Sequence, residues 1–185
     1  MTMKGKDVIR NILNDVRAEV SQEFDRNFER QAFFSRAWQR RTSPLRGNGH
    51  ILVSTGMLRR SVKSRTDENS ITFYSSLPYA EIHNEGGTIK VTRQMKRFFW
   101  AKYYEAAGGF KRRKDGSFSR SKKQEQLNTV AEFWKALALK KVGSTVKIPR
   151  RRFIGTSPEV EDSVRKIIES NIESYLNTII DEINK

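Results

Sequence analysis

From about Lys6 to Ala37 the apolar residues Val8, Ile12, Leu13, Val16, Val20, Phe24 and Phe28 recur at spacings of three and four, with polar residues between them. That period predicts an amphipathic helix. After Trp38 comes QRRTSPLRGNGH, where Pro44, Gly47 and Gly49 cannot sustain a helix and an irregular loop is expected. Ile51, Leu52 and Val53 bring the chain back to a core. In STGMLRRSV a hydroxyl of Ser54 or Thr55 is placed to cap a short helical turn whose Met57, Leu58 and Val62 face inward. Ser61 to Thr66 and Ser70 to Ser75 then read as two antiparallel strands joined at Asp67-Glu68-Asn69.

The stretch PYAEIHNEGG reads as a short helix with Pro78 at its first position, Tyr79, Ala80 and Ile82 packed inward, and Gly86-Gly87 at its end. Thr88 to Thr92 and Thr145 to Pro149 are short β-patterned segments of similar composition, expected to pair as the stems of a long arm. Between them RQMKRFFWAKYYEAA and EQLNTVAEFWKALALKK each place apolar residues on one helical face. Aromatics interleaved with basic residues also suit base stacking, but at helical spacing such a stripe is a packing face. The linker GGFKRRKDGSFSRSKK has little to bury and is expected to be mobile. The last signal is a helix start, Ser157 as cap with Pro158 in the first turn and Glu159, Glu161 and Asp162 behind it. An apolar stripe runs from Val160 to Ile183, along a helix roughly 40 Å long at 1.5 Å per residue. That exceeds what a four-strand sheet covers, so part of it is expected to pack on the N-terminal helix or on a neighbouring subunit. The fold class is therefore α+β: a small antiparallel sheet against long N- and C-terminal helices, with a long helical β-arm insert. A core domain of 1–89 and 148–185 and a basic aromatic insert of 90–147 follow from the same pattern.

Charge alters this picture. The 185 residues carry 36 Lys and Arg against 21 Asp and Glu, a net charge of +15, which suits polyanions or acidic protein faces. Arg93 to Lys123 holds eleven basic and two acidic residues. That segment is either a solvated basic loop or a nucleic-acid contact. With 36% hydrophobic residues there is enough to fill one core. No cysteine is present, so a disulfide framework and a thiolate zinc site are excluded and a reducing cytoplasm is expected. Neither a secretory signal nor a membrane span of about 20 apolar residues is visible, so a soluble protein without membrane partners is expected.

Candidate chemistry is thin. His50 and His83 are the only histidines, and on a helix residues two apart point in different directions, so Glu81 and Glu85 are poorly placed to share an ion with His83. Phosphate-cradling loops, a nucleophile elbow and a cysteine nucleophile do not occur. The expectation is no catalytic residue, no metal and no cofactor, hence no enzyme, with His83 making a structural hydrogen bond.

Four pieces in order carry a resemblance: Trp38 with Arg40 and Arg41; ILVSTGMLRRS from Ile51; PYAEIHNEGG from Pro78; and IPRRRFIGTSPEV from Ile148 into the final helix. They resemble the phage virion morphogenesis, or tail completion, family, typified by the morphogenesis protein G of phage Mu. The residues matching its boxes are Trp38, Thr55, Gly56, Leu58, Ser61, Tyr79, Ala80, His83, Gly86, Gly87, Pro149, Arg151, Phe153 and Gly155, which the resemblance makes structural or interface positions. It implies a non-catalytic protein of the virion, assembled in the host cytoplasm, that completes the tail or joins head and tail at the neck. It further implies a homo-oligomeric ring, a hexamer for preference, with neck and tail proteins as partners. The segment between Lys90 and Lys147 departs from the family pattern. Basic residues available to genomic DNA or to acidic partner faces are Arg59, Arg60, Lys111, Arg112, Arg113, Lys114, Arg150 and Arg152.

Overall fold

The computed structural model describes residues 5–41, 43–45, 50–108 and 122–184. The elements run α1 (Gly5–Arg30), β1 (Ala32–Phe33), β2 (Arg36–Ala37), α2 (Met57–Arg60), β3 (Val62–Thr66), β4 (Ile71–Ser75), α3 (Ala80–Glu85), β5 (Gly87–Lys90), α4 (Arg93–Gly108), α5 (Lys122–Leu139), β6 (Thr145–Ile148) and α6 (Pro158–Ile183). Long terminal helices with small antiparallel ribbons make this an α+β protein, as expected. The strands do not form one sheet, however. Each of the three ribbons, β1–β2, β3–β4 and β5–β6, is two-stranded.

Two compact units result, one of Met1–Trp38, Gly49–Glu85 and Arg150–Lys185, the other of Gln39–Asn48 and Gly86–Pro149. In the first, Val16, Val20 and Phe24 of α1 pack with Phe33, with Ile71 and Phe73 of β4, and with Val160, Val164 and Ile167 of α6. A second cluster joins Phe28 to Trp38, Leu58, Ala80 and Phe153. Each fully buried side chain of this size stabilises by roughly 1.5–3 kcal/mol, so these aromatics dominate the unit.

The N-terminal helix ends at Arg30 rather than continuing to Ala37. Gln31 has a left-handed backbone, φ 57°, and its Nε2 donates to the Phe28 carbonyl at 2.5 Å and to the Ile51 carbonyl at 3.2 Å. One of the helix's unpaired terminal carbonyls is thereby satisfied by a side chain, and the chain turns into β1–β2.

In the second unit β5 and β6 pair antiparallel with Thr88 opposite Lys147 and Ile89 opposite Val146, the pairing expected of the two stems. Thr92 Oγ1 accepts from Met95 N at 3.1 Å and caps α4. Across the helical hairpin Phe99 stacks on Trp134 at 5.9 Å and Phe98 meets it edge-on at 5.7 Å, while Phe133, its neighbour on α5, meets it edge-on at 5.4 Å. These rings pack on one another. Phe99, Ala131 and Ala138 are buried, whereas Phe98, expected on the inner face, remains 51% exposed. Of the linker expected to be mobile, residues 109–121, with Lys111, Arg112, Arg113 and Lys114, lie outside the described residues, and its last two, Lys122 and Lys123, begin α5.

Candidate functional site

The segment Arg150 to Thr156 is where Trp38, the His83-Asn84 pair and α1 meet in the first unit. It has no regular structure, so its backbone groups need partners. Asn84 supplies three: its Oδ1 accepts from Phe153 N at 2.9 Å and Ile154 N at 3.1 Å, and its Nδ2 donates to the Ile154 carbonyl at 3.1 Å. Asn27, fully buried on α1, donates to the Phe153 carbonyl at 3.3 Å and accepts from Phe34 N at 2.9 Å. Trp38 Nε1 donates to the Arg152 carbonyl at 2.6 Å, and the His83 carbonyl accepts from Arg151 N at 2.8 Å. So anchored, the Phe153 ring sits fully buried, 5.2 Å from Phe28.

The residues around α2 tie it to α1 and to the β3–β4 hairpin. Gly56 adopts φ 70°, open to glycine at little strain, directly before α2. Thr55 Oγ1 accepts from Met57 N at 3.4 Å. Ser61 Oγ donates to the Leu58 carbonyl and lies 2.7 Å from Ser75 Oγ, joining α2 to the base of the hairpin. Arg59 is drawn back onto α1, its Nε 2.5 Å from Asp25 and its Nη2 2.6 Å from Glu29, so its guanidinium is held rather than offered outward. These contacts raise the Arg59 pKa and lower that of Asp25. Arg60 Nη2 donates to the Thr55 carbonyl at 3.0 Å. Gly86 and Gly87 both have positive φ, 72° and 148°, and end α3.

Several expectations need correction. Pro78 lies in the turn before α3, not in it. Tyr79 is 39% exposed and Met57 52% exposed, because in such short helices the inward face is taken up by Ala80 and Leu58 respectively. His83 makes its structural hydrogen bond to the loop through its carbonyl, which accepts from Arg151 N, while its ring Nδ1 is buried without a partner. Burial, followed by the nearby Arg151 charge, lowers its pKa. Among the described residues no three His, Asp or Glu side chains gather to hold a metal ion. Asn84, Asn27 and Gln31 escaped the sequence reading, although an asparagine on the apolar stripe between Phe24 and Phe28 was a visible signal for Asn27.

A model of the phage virion morphogenesis family matches residues 2–173. The chain belongs to that family. No curated protein and no solved structure matches it. Membership makes this a virion-associated protein with a structural part in phage assembly. In this virion morphogenesis protein the four boxes each give one side chain to one cluster, Trp38, Leu58, Ala80 and Phe153 around Phe28. Pieces far apart in sequence are thereby buried together. No described helix is long and apolar enough to cross a membrane.

Beside Phe153 the surface opens into a cavity of about 300 Å³ walled by Phe33, Ala37, Trp38 and Pro158 and carrying Arg36, Arg150 and Arg152. Arg152 lies over the Phe33 ring at 5.0 Å, and Arg150 pairs with Glu85 at 3.0 Å. A second, larger concavity of about 560 Å³ between α1, β4 and α6 is lined by apolar and uncharged polar residues.

Proposed function

We propose that this protein completes the tail or joins head and tail at the phage neck, as one subunit of a homo-oligomeric ring, a hexamer for preference, and that it catalyses no reaction. The observation that carries this is the use made of the family boxes: their side chains build one small core and its hydrogen-bonded loop, and none is left grouped as nucleophile, acid and base. What remains for function is surface. Neck and tail proteins are the partners, met in the host cytoplasm during assembly. Mass spectrometry of purified particles should find the chain in virions, and particles assembled without it should show unjoined heads and tails by electron microscopy. Its absence from particles would sink the proposal.

A second reading rests on the eleven basic residues between Arg93 and Lys123: contact with genomic DNA through phosphates, without base recognition. Such binding falls steeply with salt, with a slope of about −0.9 per phosphate neutralised. A salt-independent or absent interaction removes it.

A further inference from the structure

Helix α6 is two things at once. Its first half packs on α1 through Val160, Val164 and Ile167. Its second half carries Ile172, Leu176, Ile180 and Ile183, which are 44%, 52%, 53% and 77% exposed. At 3.6 residues per turn these four fall within about 80° of one another, with Glu169 and Glu173 on or beside the same arc. From Glu169 to Asn184 there is no Lys or Arg. The helix holds seven acidic and two basic residues, a balance of −5 in a chain of net +15, so the remainder carries +20. Its last turn contains Asp181 and Glu182 and no basic residue, the wrong sign for the negative end of a helix dipole. An acidic, apolar face of this kind asks for a cationic, apolar counterpart.

The molecule has one to offer. The 560 Å³ groove between α1, β4 and α6 has no charged lining residue, and two further concavities are lined by Asp15, Glu19 and Lys166 and by Lys6, Arg10, Asp67 and Glu68, whereas the 300 Å³ cavity sets Arg36, Arg150 and Arg152 against Glu159 alone, beside the Phe33, Trp38 and Pro158 walls. Glu159, the acidic residue of this lining, takes its hydrogen bond from Ser35 Oγ at 2.8 Å.

We infer that the second half of α6 in one copy docks on the Arg36, Arg150 and Arg152 cavity of the next copy. This rests on the ring reading above and supplies its contact. The two surfaces differ, so the contact is heterologous and propagates head to tail, the arrangement from which a closed ring is built. Pairing of two α6 tails across a two-fold axis would instead oppose like charges, Glu169 and Glu173 on each side.

The cysteine-free sequence permits a direct test. Ala37→Cys, in the cavity wall, and Ile183→Cys are made singly in the full chain, mixed and oxidised. The expected result is a disulfide-linked dimer in the mixture, little from either variant alone, and a ladder of covalent oligomers from the double variant. Dimers from Ile183→Cys alone, preferential linkage to Asn69→Cys on the apolar groove, or no linkage at all would overturn the inference. Charge reversal gives an independent measure: Glu169→Lys with Glu173→Lys should weaken self-association about tenfold, and adding Arg36→Glu should restore part of it. All three positions are exposed, so folding is spared. Failure of these tests with the chain still present in particles would reject the contact and leave the assembly role standing.

Discussion

Removing the Asn84 side chain leaves the N–H groups of Phe153 and Ile154 without an acceptor and the Ile154 carbonyl without this donor. An unsatisfied buried polar group costs about 1–3 kcal/mol; with the site only part-buried, Asn84→Ala is expected to lower unfolding free energy by roughly 2–3 kcal/mol in urea titration. His83→Gln removes no side-chain hydrogen bond of this kind and should cost less. The reverse order would refute the clamp. His83 has its own signature. Its folded pKa lies below the ordinary 6.5, so the unfolded chain binds the proton more readily. This contribution to stability is complete above about pH 6.5 and declines as pH falls through 6.5 towards the lowered folded value. Asp25, lowered from 3.8 by Arg59, loses its contribution only in more acid solution. Thermal melts between pH 7.5 and 5.5 should therefore show a falling Tm that His83→Gln flattens. An unchanged slope in the variant would assign the loss to another group.

At the scale of elements, α6 begins as the sequence foretold. Ser157 is extended at φ −157°, its hydroxyl accepts from Val160 N at 3.3 Å, and Pro158 follows. Ser157→Ala should cost about 1 kcal/mol, read by denaturant titration. Gly155→Ala should cost more, because φ is 136°, a conformation strained for any residue with a Cβ, while the Arg152 guanidinium that the Cβ would meet can swing aside. Strain of roughly 1–3 kcal/mol is expected at such a backbone, and a neutral substitution would mean the turn is easily remade. The cap was legible because it depends on four consecutive residues. Where α1 stops was not, because Gln31 ends it by reaching Ile51, twenty residues on. The same limit hid the separation of the ribbons, since strand patterning does not say which ribbon a strand joins. It hid Asn84 too, whose partners lie seventy residues away. The histidine beside it drew attention only because histidine is the residue usually read as chemistry.

At the scale of the whole molecule, both core clusters of the first unit draw every member from that unit's own residues. The chain leaves it after Glu85 and returns at Arg150, and the ribbon begins by pairing Gly87 with Ile148. Paired residues of an antiparallel ladder have Cα atoms about 5 Å apart, a gap that a two-residue turn spans. Replacing Thr88 to Lys147 by Asn-Gly should therefore leave a chain that folds, with a cooperative melt and helical circular dichroism from α1 and α6. The excised segment contains all of Arg93 to Lys123 with its eleven basic residues. The shortened protein should thus lose most salt-sensitive DNA binding while keeping the α6 tail and the arginine cavity. If it unfolds, the insert is part of the core and not an appendage. If it folds and still binds DNA with an undiminished salt slope, the basic surface that matters lies among Arg36, Arg150 and Arg152, where a phosphate would then compete with the acidic helix for the same guanidinium groups.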